Sequence, residues 1–398
     1  MTLEADTAPP HSAQTGDDED DDALLPFGVD IGAALPTTFG FAVSGLRGTG
    51  LAFVALLGQH GSHRVDLGEL HGDPETPTLA LAGTSVLVAL RSTDAAGFTL
   101  KLGQLSDAES PAVAWGYELS KLGKTVTGVQ LATSGARGLL VYQGEEKGGA
   151  ARLMLGVFST ERLNEPFELK PLEAKDAEQP RLVARAGGYW LSWVHTLPEP
   201  KKSAKPPVKD AVDAGPPEDP EERELLQEAL RVVEIAKLDE QGKMLGAPRR
   251  IGEPRHQVLL YDVASLASGN LLVALRTDSA TPGVEGGALL LSELGADGSV
   301  HEERLDDDDI GAGAPALLSD ADPKLPGPWL SMSGSSDATR LGLVQGARTT
   351  LQTDPLLGHA EVIAVGGGHF LLQRARGRGV ALEAVDCSWP SDAAAEKK

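Results

Sequence analysis

The chain has 398 residues, of which 41% are hydrophobic, so it is long and apolar enough to bury a sizeable core. Its formal net charge is −23, which excludes the positive field typical of proteins that bind nucleic acids or anionic membranes. A single cysteine, Cys387, excludes an internal disulfide and zinc sites of the Cys₄ or Cys₂His₂ type.

Residues 1–25 are predicted to form a disordered acidic tail, and residues 389–398 a second disordered tail. The first segment contains eight acids and neither Lys nor Arg. It lacks a basic region followed by an apolar core, so no signal peptide is present in the chain as it stands. A leader removed earlier would place the protein outside the cytoplasm, in the periplasm or at the surface. The longest nearly apolar stretch, 78–90, is too short for a membrane-spanning helix.

Short apolar runs recur along residues 26–388 and indicate a repeat protein. Seven copies are recognised, at 52–56, 86–90, 139–143, 190–194, 271–275, 329–333 and 370–374. A further apolar strand precedes each run, an alternating strand follows it, and turns such as those ending at Gly242 and Gly298 lead into a fourth strand. With 47 glycines and 26 prolines, the pattern predicts an all-β protein of four-stranded repeats.

The fold predicted from this pattern is a β-propeller with seven blades. Runs such as LVAL and LSWV, followed by an alternating strand and then by LDEQGKML, resemble bacterial β-propeller repeat proteins, although Kelch, WD and Asp-box signatures are missing. The resemblance covers residues 26–388 and implies a fold without implying a function.

The two ends of the repeat array are less regular. The first two runs are only 34 residues apart, from Phe53 to Leu87, which predicts a first blade of three strands. A six-bladed ring with an irregular N-terminal addition is the alternative. The last repeat ends without a fourth strand, and we expect the alternating segment 26–31 to supply it and close the ring.

One blade carries an insertion at 197–230 between its second and third strands. The segment 198–220 is rich in proline and lysine and is predicted to be a mobile loop. Asp219 and Pro220 form a helix start, so residues 221–230 are predicted to form a short helix. This helix is expected to decorate the blade, with a partner-docking arm as the alternative.

No catalytic motif is recognised. Gly-x-Ser-x-Gly, His-Glu-x-x-His and the EF-hand loop are all absent. His60, His63 and His71 are spaced too loosely to predict a metal site. Asp306, Asp307, Asp308 and Asp309 offer the oxygen ligands that calcium prefers, but consecutive acids point in divergent directions and favour a solvated loop. We therefore expect no cofactor, with calcium as the alternative.

Acids occur in the connections that enter at least four of the blades, either as a designed acidic face or simply because loops of an acidic protein are acidic. In a propeller these connections emerge on one face of the ring, around the channel. The candidate binding residues there are Asp73, Glu75, Glu173, Asp176, Glu178, Asp306, Asp307, Asp308, Asp309 and Asp354.

The sequence thus favours a monomeric, non-catalytic binding or scaffolding propeller whose acidic loops bind a protein or a small cationic ligand, with no nucleic-acid partner. The alternative is a propeller enzyme of glycoside hydrolase or lyase type that uses paired carboxylates at the channel mouth. Buried acids with raised pKa values near that mouth would favour the enzyme.

Overall fold

A computed structural model describes residues 2–3, 28–58, 61–94, 97–106, 111–145, 150–174, 176–197, 231–252, 257–277, 288–305, 313–319, 327–333, 338–353, 357–376 and 379–386. Every regular element in these ranges is a β-strand. They contain no helix long and apolar enough to cross a membrane.

The strands form seven antiparallel sheets of four strands each. The first three sheets are β2 (Val29–Thr37), β3 (Gly40–Arg47), β4 (Leu51–Gly58) and β5 (Gly61–Glu69); β6 (Thr78–Ala82), β7 (Ser85–Asp94), β8 (Gly97–Leu105) and β9 (Val113–Leu119); and β10 (Val126–Ser134), β11 (Arg137–Glu145), β12 (Ala151–Ser159) and β13 (Leu169–Pro171).

The next three sheets repeat this arrangement. They are β14 (Ala177–Arg185), β15 (Gly188–Thr196), β16 (Arg231–Leu238) and β17 (Arg249–Ile251); β18 (Val258–Ser265), β19 (Leu271–Thr277), β20 (Leu289–Leu294) and β21 (Val300–Leu305); and β22 (Ala316–Leu318), β23 (Trp329–Ser333), β24 (Thr339–Leu343) and β25 (Gln352–Thr353). The seventh sheet is β26 (Glu361–Gly366), β27 (His369–Arg376), β28 (Gly379–Asp386) and β1 (Thr2–Leu3).

The first strand of each sheet, here called the inner strand, contacts the inner strands of both neighbouring sheets. These contacts run from β2 to β6 and on through β10, β14, β18, β22 and β26, which returns to β2. The seven sheets are therefore the blades of a closed β-propeller, and the predicted fold with seven blades is confirmed. The chain enters every inner strand on one face of the ring, the entry face; the hairpins that join first to second strands lie on the opposite turn face.

The second strand of each blade explains the apolar runs in the sequence. All seven residues of β19 are buried, because this strand packs against a neighbouring blade on each side. Leu275 of β19, for example, joins Trp190 and Ile235 of the fourth blade in one core cluster. Each fully buried leucine contributes about 1.5–3 kcal/mol of hydrophobic stabilisation, so the interblade cores hold the ring together.

The prediction of a three-stranded first blade is wrong. The run 52–56 lies in the third strand of that blade, β4, whereas the second strand is β3. Val54 and Ala55 are completely buried, since the third strand of this blade is also packed between sheets. A third strand therefore resembles a second strand in sequence. The spacing from Phe53 to Leu87 was short because Phe53 lies in a third strand, whereas Leu87 lies in the second strand of the next blade.

The N-terminal strand that closes the ring is a different segment from the one expected. Val29 begins the inner strand β2 of the first blade. The last blade is completed instead by β1, in which Thr2 pairs with Ala381 and Leu3 with Val380. The principle of N-terminal closure is confirmed, but a strand of two residues has no hydrophobic alternation by which a sequence could reveal it.

Several sequence expectations fall outside the described residues. The other residues of the N-terminal tail, the part of the insertion at 198–230 and the tail after Asp386 are among them. The turns at Gly242 and Gly298 are described, with φ of 71° and 89°. Both glycines thus adopt the left-handed backbone conformation that the predicted hairpin turns require.

Closure through β1 predicts that a very small deletion destabilises the protein. Removal of residues 1–4 leaves the edge of β28 unpaired, so we expect the melting temperature to fall by a few degrees and aggregation to increase. Thermal unfolding and size-exclusion chromatography measure both effects. A matched control deletes residues 11–14, which leaves β1 in place. Equal melting of the two deletion variants would show that β1 does not close the ring.

Candidate functional site

Five of the seven inner strands contain a β-bulge in their entry-side half. The register against the second strand shifts between Ile31 and Ala34, Thr127 and Gln130, Glu178 and Arg181, Val258 and Leu260, and Val362 and Ala364. Bulges are over-represented beside active sites because the extra residue redirects the neighbouring side chains. The entry side of the ring is therefore the first place to look for a site.

The fourth blade carries the most strained backbone at this position. Asp176 and Gln179 both have φ of 50°, a conformation that costs non-glycine residues about 1–3 kcal/mol. Neighbouring blades on both sides hold Gln179 in place. Its N–H donates to Oε1 of Gln143 over 3.0 Å, and its carbonyl accepts a hydrogen bond from the hydroxyl of Tyr261 over 2.6 Å.

The fifth blade contributes a carboxyl group directly after its bulge. Oδ2 of Asp262 accepts a hydrogen bond from the N–H of Leu317 over 2.8 Å, and Oδ1 lies 3.8 Å from Nε of Arg181. Burial raises the pKa of Asp262, although the Leu317 N–H and the positive charge of Arg181 act in the opposite direction. The side chain keeps 27% of its area exposed and that of Arg181 keeps 41%, so solvent and ligands reach both groups.

Tyr261 supports this arrangement from below the surface. Its side chain is buried, with its hydroxyl 3.5 Å from Oγ of Ser192. Burial raises the pKa of Tyr261, so the phenol stays protonated and able to donate to Gln179. The guanidinium group of Arg181 lies 5.8 Å from the centre of its ring. Tyr261 is therefore a positioning residue for Gln179 and Arg181.

A second carboxylate occupies the same inner strand as Arg181. Glu178 lies immediately before the bulge of β14, and its Oε2 is 3.9 Å from a terminal nitrogen of Arg231. Glu178, Gln179, Arg181, Arg231 and Asp262 are called the inner-strand cluster from here on. It combines the Glu178–Arg231 pair within the fourth blade, the Arg181–Asp262 pair between the fourth and fifth blades, and the strained backbone of Gln179.

The structure describes five of the ten acids predicted to form a binding face. Asp73 and Glu75 lie in the connection from β5 to β6, Glu173 and Asp176 in the connection from β13 to β14, and Glu178 in β14. They thus line the entry face at the second and fourth blades. The other five lie outside the described residues: Asp306, Asp307, Asp308, Asp309 and Asp354.

Glu75 is the predicted acid with the most specific surroundings. Burial raises its pKa, and the positive charge of Arg91 partly offsets this effect. Oε1 of Glu75 lies 3.4 Å from the guanidinium group of Arg91, whose side chain is only 4% exposed. Arg91 also donates hydrogen bonds to the carbonyls of Asp73 and Val126. This arginine therefore fixes the acidic connection against the third blade.

Sequence reasoning missed Gln179, Arg181, Arg231, Tyr261 and Asp262. One signal was present: Asp262 is a lone acid within an otherwise apolar stretch of strand, VLLYDVA. An acid in that setting is buried at a cost and needs a partner. No spacing of residues in the sequence predicts a metal site, and the described residues contain no group of three His, Cys, Asp or Glu side chains able to hold an ion. His60 and Asp306–Asp309 lie outside the described ranges.

No protein-family model and no curated protein matches this chain. Solved structures do match. The polysaccharide lyase Uly1 aligns with a TM-score of 0.55 and 10% identity, over 96% of this chain and 94% of its own. The β-propeller domain of the Trilobed protease from Pyrococcus furiosus aligns with 0.48 and 10%, over 92% and 99%. The α-L-arabinanase of Penicillium chrysogenum aligns with 0.46 and 11%, over 78% and 92%.

The comparison corrects the functional expectation. The main interpretation from the sequence, a non-catalytic binding or scaffolding propeller, is wrong, because a neighbour aligned over 96% of this chain, the polysaccharide lyase Uly1, is an enzyme and matches the alternative. Burial raises the pKa of both Glu75 and Asp262, as expected for acids of the enzyme alternative, but the two groups lie in different blades and do not form a pair. At 10% identity the likeness itself establishes the fold, and the chemistry has to be argued from this chain's own residues.

Asp262 makes a testable contribution to stability. The folded state binds its proton more tightly than the unfolded chain does, because burial raises the pKa of this carboxyl group. The free energy of unfolding therefore falls as pH rises from about 4 through the raised pKa. Asp262→Asn keeps an oxygen for the N–H of Leu317 but has no charge to bury. Its stability relative to wild type should increase over this pH range, as measured by chemical denaturation.

The matched control is Asp66→Asn, which removes an exposed aspartate paired with Arg64 at 2.9 Å. Exposed pairs contribute little, so this variant should show no comparable gain with pH. A stability difference between Asp262→Asn and wild type that stays constant across pH would contradict the assignment.

Proposed function

We propose that this chain cleaves a polysaccharide by β-elimination, with the inner-strand cluster as its active site. The observation that carries the proposal is the juxtaposition of Asp262, a half-buried carboxyl group with a raised pKa, and Arg181, a half-exposed guanidinium group 3.8 Å away. The likeness in fold to the polysaccharide lyase Uly1 supports the same choice.

β-Elimination in a polymer of uronic acids needs a base and a positive charge. The base removes the proton on the carbon next to the carboxylate, and negative charge then develops on that carboxylate. A guanidinium group binds a carboxylate through two parallel hydrogen bonds and stabilises this charge. Arg181 is the proposed carboxylate-binding group. Its exposed fraction leaves donors available to a substrate.

Asp262 is the proposed base. A raised pKa strengthens a carboxylate as a base, because the protonated form is favoured by the surroundings. The electron pair of the broken C–H bond forms the new C=C bond, and the glycosidic C–O bond breaks. The proton taken by Asp262 then passes to the departing oxygen. Atoms and charge balance without water or a cofactor.

The second candidate reaction is hydrolysis at the same site. Glu178 supplies a second carboxylate on the neighbouring inner strand, and a pair of carboxyl groups can cleave a glycosidic bond with one as the acid and the other as the base or nucleophile. The raised pKa would make Asp262 the acid. The two reactions leave different products, so a single assay distinguishes them.

The assay offers soluble polymers of glucuronate, galacturonate and mannuronate to the purified protein. Elimination produces a conjugated double bond that absorbs ultraviolet light, with one new reducing end for each double bond. We expect Asp262→Asn and Arg181→Gln each to lower kcat/KM by about 10²-fold or more. Arg250→Gln is the control, because Arg250 lies on the outer strand β17 and pairs with Glu234 at 3.0 Å.

New reducing ends without ultraviolet absorbance would assign hydrolysis instead. Equal cleavage by wild type, Asp262→Asn and Arg181→Gln would move the active site away from the inner-strand cluster. If the folded wild-type protein cleaves neither the polyuronates nor neutral glycans, the proposed function is contradicted.

The net charge of −23 makes a further prediction for an anionic substrate. Repulsion between the acidic protein and a polyuronate slows their encounter, and salt screens this repulsion. Raising the ionic strength from about 0.01 M to about 0.15 M shortens the screening length from about 30 Å to about 8 Å. We therefore expect kcat/KM to rise with salt over this range in the ultraviolet assay. A fall with salt would show that attraction by the local arginines outweighs the overall charge.

A further inference from the structure

A cavity lies between the fourth and fifth blades, on the turn face of the ring. Its volume is about 450 Å³, within the usual size range of small-molecule sites. The fourth blade contributes Trp190, Lys237 and Arg249, and the fifth blade contributes the turn that contains Asp297 and Gly298. The cavity shares an interblade interface with the inner-strand cluster but opens on the opposite face.

Two basic side chains line this cavity, and a third lies beside them. Lys237 donates to the carbonyl of Ala296 and lies 5.0 Å from the centre of the Trp190 ring. Arg249 donates to the carbonyl of Gly298.

Arg185 completes the group of three. It donates to the carbonyls of Ala186 and Leu238 over 2.9 and 3.0 Å. Its Nε is buried and has no hydrogen-bond partner within the described ranges. Its charge reaches Lys237, because Arg185 and Arg249 both lower the pKa of that lysine, after burial as the largest cause.

These three cations lack the acidic partners that are common elsewhere in the chain. All their hydrogen bonds go to neutral carbonyl groups, and no carboxylate of the described residues lies within 4.0 Å of them. Lys and Arg number 35 against 58 Asp and Glu, so acids are plentiful. A group of unpaired cations in such a chain leaves a positive charge that an anionic ligand could neutralise.

The one acid in the cavity lining is already engaged. Oδ1 of Asp297 accepts hydrogen bonds from the N–H and the hydroxyl of Ser299, over 2.9 and 2.7 Å. These bonds hold the pKa of Asp297 below its usual value. The side chain is fully exposed, so its charge is strongly screened by water. Asp297 orders the turn, and its charge raises the pKa of Lys237 less than burial and the charges of Arg185 and Arg249 lower it.

We propose that this cavity binds a small oxyanion: the carboxylate of a uronic acid, or a sulfate or phosphate group. Lys237 has two further ammonium hydrogens and Arg249 a planar fork of donors, so both can bind the ligand while keeping their carbonyl partners. An anion there would contact both blades and stabilise their interface. This site stands independently of the proposed catalysis at the inner-strand cluster.

The test measures saturable binding by isothermal titration calorimetry with glucuronate, sulfate and phosphate, in chloride buffers of matched ionic strength. Glucose is the neutral control for the sugar ring. The double variant Lys237→Met with Arg249→Gln removes two charges while Met preserves the packing against Trp190. We expect its dissociation constant to rise at least tenfold.

Arg250→Gln is the matched control variant. Arg250 is adjacent to Arg249, points to the opposite face of its strand and pairs with Glu234 at 3.0 Å. It should bind the anions as wild type does. Affinity should also decrease as pH rises through the lowered pKa of Lys237, because only the charged ammonium attracts the ligand.

Tighter binding of glucuronate than of sulfate supports a sugar carboxylate as the ligand, and equal binding of all three supports a simple oxyanion. The proposal is overturned if wild type binds none of them more tightly than it binds glucose. It is also overturned if the double variant retains wild-type affinity. A double variant that fails to fold leaves the wild-type comparison with glucose to decide.

Discussion

The inner edge of the ring imposes the constraint on which the rest of this structure depends. Each inner strand pairs with a second strand along one edge only, and the backbone groups on its other edge must find partners elsewhere. Side chains of neighbouring blades provide some of these partners. The hydroxyl of Thr78 donates to the carbonyl of Val129 over 2.9 Å, and that of Tyr261 donates to Gln179. Side chains thus connect the blades around an edge that would otherwise promote aggregation.

The same constraint explains why ionisable groups lie among the apolar residues of the inner strands. Asp262 accepts a hydrogen bond from the free N–H of Leu317 in the next blade. Burying a carboxyl group for this purpose is costly, and its raised pKa records that cost. A group recruited to connect two blades thereby acquires the proton affinity that acid–base chemistry requires. Ring cohesion and the proposed catalysis therefore depend on one side chain. Asp262→Asn separates the two roles, because asparagine keeps an oxygen that accepts the hydrogen bond from Leu317 but cannot act as a base.

The sequence predicted features that are local and missed those that are distant. The second strands were recognisable because a strand buried on both faces is apolar throughout, as in β19. The same property concealed the identity of β4, a third strand with the same composition. The partners Gln179 and Tyr261 are 82 residues apart in the chain, and nothing in either segment specifies the other. The acids of the connections were visible, but their partner Arg91 could be assigned only once the blades were assembled.

The distribution of positive charge connects the two proposed sites. Within the described ranges, several arginines pair with carboxylates of their own blade, as Arg64 does with Asp66 and Arg374 with Glu383. Between the fourth and fifth blades the pattern differs: Arg181 pairs across the interface with Asp262 on the entry side, and on the turn face Lys237 donates to a carbonyl and has no carboxylate of the described residues within 4.0 Å. A protein of net charge −23 cannot attract an anionic glycan from a distance. Recognition would then rest on short-range hydrogen bonds from these cations, which favours specificity over rapid association.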